Sequence, residues 1–317
     1  MKIPVHPGDQ IDHYHIVGIA DQSGPTSVFR ATDVLTNRAV AIKIPHPEME
    51  SDPVFMERFQ REAEIGESLD HPGILKVFRD EHPSQSYIVT EWFEGQTLRS
   101  IIGGSKLSHD RAIRITLNVC SALEYIQNRG IVHRDLRPEN ILVDSEDHIK
   151  LVNFGVAAKV GARRITFTNL AQVVGVSEYI SPEELNGKRD DARSDIYALG
   201  VILYEMLTGK TPFQGSSVYD RLLKHPVPPR EVDSTISPQL QEVIYRALER
   251  DPKNRYPNAH NFAADLSDLS RVGVAARPEL REWKKTTSPR KKILLFAAIT
   301  LAPIVIFALL FYFARHP

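Results

Sequence analysis

The chain has 317 residues, of which 25% are charged and 42% hydrophobic, and its formal net charge is −1. This composition is typical of a globular chain with one large or two ordinary domains. The near-neutral charge gives no basic field that would favour nucleic acid, and the single cysteine excludes an internal disulfide and a cysteine-based metal site. The N-terminus, MKIPVHPGDQID, has no apolar stretch and does not resemble a signal peptide.

The front of the chain is predicted to be rich in strands. Residues 14–33, YHIVGIADQSGPTSVFRATD, predict two strands joined by a turn of small residues. Residues 40–44, VAIKI, alternate in the period of a strand, and residues 86–93, SYIVTEWF, indicate another. Between them, Asp52 followed by proline predicts the start of a helix.

The later part of the chain is predicted to be helical. Apolar residues recur at helical spacing over 112–126, and Gly130 suits the end of that helix. Residues 194–208, SDIYALGVILYEMLT, are apolar on nearly all sides, which indicates a helix buried inside a larger lobe. Gly209 and Pro212 are expected to end it.

The C-terminal region predicts a membrane span. Residues 293–314, ILLFAAITLAPIVIFALLFYFA, carry no charge, and at about 1.5 Å per residue they would cover roughly 30 Å, the thickness of a bilayer's hydrocarbon core. A buried soluble helix is disfavoured because the stretch is apolar all round. Basic residues are concentrated before it, and only Arg315 follows it. This asymmetry predicts a cytoplasmic N-terminal part. The basic run could equally attract anionic headgroups or serve only as a topology signal.

Several short motifs follow one another in a characteristic order. They are VAIK at 40–43, IVHRDLRPENILV at 131–143, IKLVNFG at 149–155, SPE at 181–183, SDIYALG at 194–200 and DPKNRYPNA at 251–259. Together they resemble the motifs of serine/threonine protein kinases, in particular the membrane-anchored kinases of bacteria. The resemblance covers about residues 14–268.

The resemblance implies an α+β fold of two lobes, with a β-rich N-lobe and a helical C-lobe, plus one C-terminal transmembrane helix. The expected organisation is an N-terminal segment at 1–13, a kinase domain at 14–270, a basic juxtamembrane linker at 271–292, the span at 293–314 and an extracytoplasmic tail at 315–317. The expected location is the cytoplasmic (inner) membrane, crossed once, with the kinase domain in the cytoplasm.

The resemblance also implies the parts of an ATP site. Lys43 matches the strand lysine that holds the α- and β-phosphates, and Glu62 matches its partner on a helix. Glu91 and Phe93 match the hinge, whose backbone would bond adenine, and Thr90 stands at the gatekeeper position. Outside that family context, Lys43 and Glu62 could be ordinary solvated residues.

Catalytic and framework residues are implied in the same way. Asp135 matches the catalytic base, and Asn140 matches a ligand of the second Mg²⁺. Asp195 would organise the catalytic loop from inside the buried helix. Glu183 and Arg255 match an ion pair of the C-lobe framework.

The sequence departs from the family pattern along the phosphate and substrate path. The departures are Asn153 in place of the metal-binding aspartate, Asp21, Ser23 and Thr26 in place of three glycines over the nucleotide, Arg137 in place of a lysine, and Val176 in place of a threonine. An amide keeps a ligand oxygen but loses a full negative charge, so binding of Mg²⁺ or Mn²⁺ should be weakened or absent. Phosphotransfer is therefore predicted to be impaired, and a pseudokinase scaffold or nucleotide-binding switch is favoured. The alternative is an active serine/threonine kinase that phosphorylates cytoplasmic proteins, since the phosphate lysine, Asp135 and Asn140 are retained.

The activation segment holds two candidate regulatory threonines. Thr166 and Thr168 lie where bacterial relatives often carry phosphothreonine, and Arg134 would receive the phosphate. They could equally be ordinary loop threonines. The expected partners are ATP, a protein substrate or docking partner, and the membrane through the C-terminal helix, with no nucleic acid. The sequence leaves open whether the protein forms a dimer.

Overall fold

The computed structural model describes residues 5–103, 105–159, 178–188, 190–213, 222 and 224–277. The chain divides into two units, Met1–Val274 and Ala275–Pro317. Of the second unit only residues 275–277 are described, and they form no helix or strand. Within the described part of the chain, no helix is both long and apolar enough to cross a bilayer. The predicted span at 293–314 lies outside that part.

The first lobe is built on one antiparallel sheet. Its strands are β1 (Gln10–Ile11), β2 (Tyr14–Asp21), β3 (Thr26–Asp33), β4 (Arg38–Pro45), β5 (Val77–Phe78) and β6 (Ile88–Glu91), in the spatial order β1-β2-β3-β4-β6-β5. Val40, Ile42 and Ile44 face the core of this lobe, as their alternation predicts. Lys43 therefore points to the opposite, polar face of the sheet.

The strand predicted over 86–93 is shorter than expected. The ladder between β4 and β6 ends at the pair Val40↔Glu91, so Trp92 and Phe93 have left the sheet. The helix expected after Asp52 is α1 (Pro53–Glu67), and the Asp52 carboxylate accepts hydrogen bonds from the first free backbone N–H groups. Sequence pattern thus predicted both elements, but the strand is shorter than predicted at both ends, since Ser86 and Tyr87 also lie outside β6.

The second lobe is mainly helical. Its helices are α2 (Leu98–Ile102), α3 (His109–Gln127), α4 (Pro182–Leu185), α5 (Arg193–Thr208), α6 (Pro229–Val232), α7 (Pro238–Ala247) and α8 (Ala259–Ser267), and 3₁₀ turns lie at Pro138–Asn140, Pro252–Asn254 and Leu269–Arg271. Short strands β7 (Gln96–Thr97), β8 (Ile131–Val132), β9 (Ile141–Val143), β10 (Ile149–Leu151) and β11 (Ala158–Lys159) form the small sheets β10-β9-β7 and β11-β8. The two-lobed α+β architecture expected from the resemblance is confirmed.

Helix α5 is the centre of the second lobe. Every residue from Ser194 to Thr208 is buried, which confirms the prediction of an internal helix. Gly209 ends it in the left-handed conformation, with φ 72°, and its N–H donates to the carbonyl of Glu205. Because α5 is rigidly enclosed, polar side chains that leave it can hold neighbouring loops in fixed positions.

Candidate active site

Lys43 and Glu62 form an ion pair that joins β4 to α1. Lys43 Nζ lies 2.8 Å from Glu62 Oε1 and 2.7 Å from Oε2. The side chains are only 24% and 15% exposed, so the pair is partly shielded from water. The contact places a fixed positive charge on the polar face of the sheet.

Asp195 fixes the backbone that leads to Asp135. Its carboxylate, buried in α5, accepts hydrogen bonds from the N–H groups of His133 at 2.8 Å and Arg134 at 3.0 Å. Arg134 has φ 66°, a left-handed conformation that costs energy for a residue with a side chain. The two bonds from the buried helix stabilise that conformation and set the direction in which Asp135 leaves the loop.

Asp135, Asn140 and Asn153 form one hydrogen-bonded group, here called the amide cluster. Asn140 Nδ2 donates to Asp135 Oδ2 at 2.8 Å and to the Asp135 carbonyl at 2.7 Å. Asn153 Nδ2 donates to Asn140 Oδ1 at 3.2 Å. Burial raises the pKa of Asp135, and the hydrogen bond from Asn140 and the charge of Arg137 only partly offset this. A carboxylate of this kind is suited to accepting a proton.

The amide cluster is a modest fit for a divalent cation. It offers one carboxylate and two amide oxygens, and hard cations bind such oxygen ligands. In the described ranges, no group of three or more His, Cys, Asp or Glu side chains could hold a metal ion. Asn153 also directs its NH₂ group at Asn140 Oδ1, so its amide would have to rotate to present an oxygen. Asn140 and Asn153 could therefore hold Mg²⁺ or Mn²⁺, with one negative charge fewer than an aspartate would give.

The turn that joins β2 to β3 lacks the glycines of the family pattern, and the side chain of Asp21 hydrogen-bonds to its backbone. Asp21 Oδ1 accepts a hydrogen bond from the N–H of Ser23 at 3.1 Å. Asp21 and Ser23 are exposed, whereas Thr26 is buried at the start of β3. The negative charge of Asp21 thus lies at the end of β2, where the turn begins, at a position where a phosphate would prefer bare N–H groups.

Comparison with known proteins decides the family. The sequence model of the family described as protein kinase domain matches residues 22–265. The chain belongs to the protein kinase domain family. A crystal structure of the PknI kinase domain of Mycobacterium tuberculosis superposes with a TM-score of 0.66 and 25% identity, covering 84% of this chain and all of that chain.

The curated relatives of this kinase domain are named as serine/threonine kinases. The chain is 37% identical over 276 residues to the serine/threonine-protein kinase PknB of Mycolicibacterium smegmatis, covering 84% of the chain and 44% of the relative. A probable serine/threonine-protein kinase of Streptomyces coelicolor is 36% identical over 276 residues, covering 83% and 41%. The chain therefore spans less than half the length of these relatives.

In the kinase domain, the side chain of Glu91 braces the segment that joins the lobes. Its Oε1 accepts from Lys150 Nζ at 2.5 Å and from the N–H of Lys76 at 2.9 Å. Lys150 also lies 6.0 Å from the centre of the Phe93 ring. The side chain of Glu91 is thus engaged in structure, which is compatible with the expected backbone role of this segment.

The framework ion pair of the kinase domain is present. Both guanidinium Nη atoms of Arg255 lie 2.6 Å from the carboxylate oxygens of Glu183. The Arg255 side chain is fully buried and that of Glu183 is 7% exposed. Arg255 also donates to backbone carbonyls of Glu249, Arg193 and Arg250, so its buried charge is well satisfied.

Some predicted positions fall outside the described ranges. Thr166, Thr168 and Val176 are among them. Arg134, the expected receiver of a phosphate, lies with its Nη2 3.0 Å from Asp190 Oδ1. A phosphate at Thr166 or Thr168 thus stays a prediction.

The structure also brings in residues that the motifs did not single out. Arg137 Nε donates to Glu139 Oε2 at 2.7 Å, and Arg99 Nε donates to the other oxygen of Glu139 at 2.9 Å. Glu139 lies inside the RPEN motif and could have been suspected. Arg99 is separated from Glu139 by 40 positions, and no periodicity in the sequence connects them.

Proposed function

We propose that the chain is an ATP-dependent serine/threonine protein kinase whose metal site is weakened by Asn153. The observation that carries this is the Lys43–Glu62 ion pair, at 2.7 Å on the face of the sheet opposite the lobe core. A pair of this kind would place the lysine for nucleotide phosphates. The names of the curated relatives also favour a working kinase over an inactive one.

Each residue of the site has a role in the proposed transfer. Bound ATP would supply the γ-phosphoryl group, with Mg²⁺ or Mn²⁺ neutralising its charge. Lys43 binds phosphate oxygens, and the backbone at Glu91 and Phe93 binds the base. Asp135 orients the acceptor hydroxyl and takes its proton as the new oxygen–phosphorus bond forms and the bond from the γ-phosphorus to the β–γ bridging oxygen breaks, which releases ADP. Asn140 and Asn153 would hold the cation through their amide oxygens once the amide of Asn153 has rotated.

Asn153 favours a second candidate, a pseudokinase or nucleotide-binding switch. One charge pair at 4 Å in an effective dielectric near 20 is worth about 4 kcal/mol. If all of it were realised in the transition state, its loss would slow transfer by roughly three decades. In this candidate the lobes bind nucleotide without productive metal, and their surfaces dock a partner.

The same proposal places the protein at the inner membrane. It is supported by the apolar stretch 293–314 and the basic residues before it. The substrate would then be a cytoplasmic protein that reaches the membrane surface. Phosphorylation of Thr166 or Thr168, read by Arg134, is the regulation that we propose for this chain.

The test compares the full chain in vesicles with its Asn153→Asp and Asp135→Asn variants, using labelled ATP and either Mg²⁺ or Mn²⁺. We expect slow transfer to serine or threonine by the parent, complete loss in Asp135→Asn, and a gain of about tenfold to a thousandfold in Asn153→Asp. Transfer by Asn153→Asp alone would support the second candidate. Absence of transfer in all three would reject the kinase assignment.

A further inference from the structure

A row of alternating charges runs from the buried helix α5 to the candidate catalytic base. Its members, here called the charge chain, are Glu205, Arg99, Glu139 and Arg137, and the charge of Arg137 acts on Asp135, two residues away. Glu205 is 8% exposed inside α5, whereas the Glu139 and Arg137 side chains are each 37% exposed. The charge chain therefore connects a rigid anchor in the core with the open surface next to Asp135.

Arg99, from α2, is the branch point of the charge chain. Its Nε donates to Glu139 Oε1 at 2.9 Å, and its Nη1 donates to Glu205 Oε1 at 2.8 Å. Its Nη2 donates to the hydroxyl of Tyr179, which in turn donates to Glu205 Oε2. Three nitrogen atoms thus point at three different partners, and only the planar fork of a guanidinium offers that arrangement.

Glu139 is clamped between two arginines. Its Oε1 accepts a hydrogen bond from Arg99 Nε. Its Oε2 accepts one from Arg137 Nε, at 2.7 Å. Burial by itself raises the pKa of Glu139, but the hydrogen bonds from Arg137 and Arg99 outweigh it and lower the pKa to about 2. Glu139 therefore stays ionised at neutral pH and bridges both cations.

The partners of Arg99 hold it more firmly than Arg137 is held. Tyr179 is 5% exposed and Glu205 8%, so Arg99 is fastened at two buried points. Among the hydrogen bonds of the described residues, the Arg137 side chain has only Glu139 as a partner. The position of Arg137, two residues from Asp135, thus depends on how firmly Arg99 holds Glu139.

We propose that Arg99 is a positioning residue for phosphotransfer, which fixes the guanidinium of Arg137 beside Asp135 by locking Glu139. The inference rests on the proposed kinase function. It adds a residue from outside all the motifs, and it links the rate at Asp135 to Tyr179 and Glu205. Loss of Arg99 should release Glu139 at one oxygen and let the Arg137–Glu139 pair move away as a unit.

The variants are Arg99→Gln, Arg99→Lys and Glu139→Gln, with Arg111→Gln as a matched control. Arg111 lies in the same lobe and donates through its Nε to Asp147 Oδ1 at 2.7 Å. Its side chain is 34% exposed against 35% for Arg99, so the control removes a similar ion pair away from the site. Lysine keeps the charge but cannot reach three partners, so Arg99→Lys separates charge from geometry.

The first readout is steady-state transfer by the full chain. We expect Arg99→Gln and Arg99→Lys to lower kcat about tenfold with the KM for ATP unchanged within about twofold, because Lys43 is untouched. Arg111→Gln should match the parent. In the Glu139→Gln background, Arg99→Gln should lower kcat by no more than a further factor of about two, since both substitutions act through the same hydrogen-bonded path to Arg137. If the two single losses in kcat multiply in the double variant, the proposal is wrong.

The second readout needs no phosphotransfer. Hydrogen exchange of the backbone amides at 133–140, measured without nucleotide, should be several-fold faster in Arg99→Gln and unchanged in Arg111→Gln. If the parent proves inactive, the kinase assignment fails while this measurement still decides the role of Arg99. Exchange in Arg99→Gln equal to that of the parent would refute the positioning role.

Discussion

Asn153 is well suited to the backbone conformation that it occupies. Its φ is 68°, in the left-handed region, and asparagine adopts this region more readily than most residues with a side chain. Gly155 follows, and a Cβ there would lie 3.1 Å from the carbonyl oxygen of Arg58 in α1. The turn thus keeps its shape and its close contact with α1. Its departure from the family pattern is one of charge, which is why restoring a carboxylate at this position is a clean experiment.

Asp195 allows a test of how the loop before Asp135 is held. In Asp195→Asn, one carboxylate oxygen that accepts an N–H becomes an NH₂ group, which faces a donor inside the core. We expect the free energy of unfolding to fall by about 2 kcal/mol, because a buried donor is left unsatisfied. Denaturant unfolding of the full chain would measure it.

The control for Asp195→Asn is Asp268→Asn, an exposed carboxylate that accepts the N–H of Ser270 at the start of a 3₁₀ turn. Asparagine caps such turns about as well as aspartate, so stability should change by less than about 0.5 kcal/mol. Equal stability of Asp195→Asn and the parent would mean that the loop does not depend on this carboxylate.

Among the elements, sequence pattern predicted those whose cause is local. The alternation over 40–44 gave β4, the Asp52 cap gave the start of α1, and the uniform apolarity over 194–208 gave α5. The strand over 86–93 was predicted too long at both ends, since β6 covers only Ile88–Glu91. Trp92 and Phe93 leave the sheet although β4 continues to Arg38, so the apolar pattern of the segment does not reveal where the strand ends.

Helices α5 and α7 approach each other closely at one glycine. A Cβ on Gly200 would lie 2.7 Å from the Cβ of Ala247 and 3.3 Å from Leu248 Cδ2. Gly200→Ala should therefore lower stability by about 1 kcal/mol, although alanine is favoured over glycine inside a helix by a similar amount. Chemical denaturation of the parent and the variant would measure this difference in the free energy of unfolding.

The companion variant for Gly200→Ala is Ala247→Gly, which opens the same gap from the other side. If the two methyl groups collide, the double variant should be more stable than the two single losses predict, by about 1 kcal/mol or more. Strictly additive losses would show that α5 and α7 can separate at no cost.

At the scale of the whole molecule, the candidate site combines two kinds of residue. Lys43, Asp135 and Asn140 belong to ordered motifs, so their identity could be predicted from the sequence alone. Arg99 and Tyr179 could not, because they meet Glu205 only through the packing of α2 and the 178–181 stretch against α5, over separations such as 106 positions. The motifs therefore predict the residues that would carry out the chemistry. The tertiary packing of the C-lobe determines which other charged residues lie near them.

Whether the protein is anchored in a membrane depends on residues 293–314. We expect the full chain to fractionate with membranes and to resist extraction by alkaline carbonate. Ile304→Lys with Val305→Lys places two ammonium groups near the middle of the apolar stretch, each costing about 2.5–3.5 kcal/mol there. That variant should move to the soluble fraction.

The control Val274→Lys, at a position 53% exposed, should stay with the membranes. Release of the parent by high salt alone would instead indicate that the basic residues at 271–292 hold it to anionic headgroups, and the predicted span would be wrong.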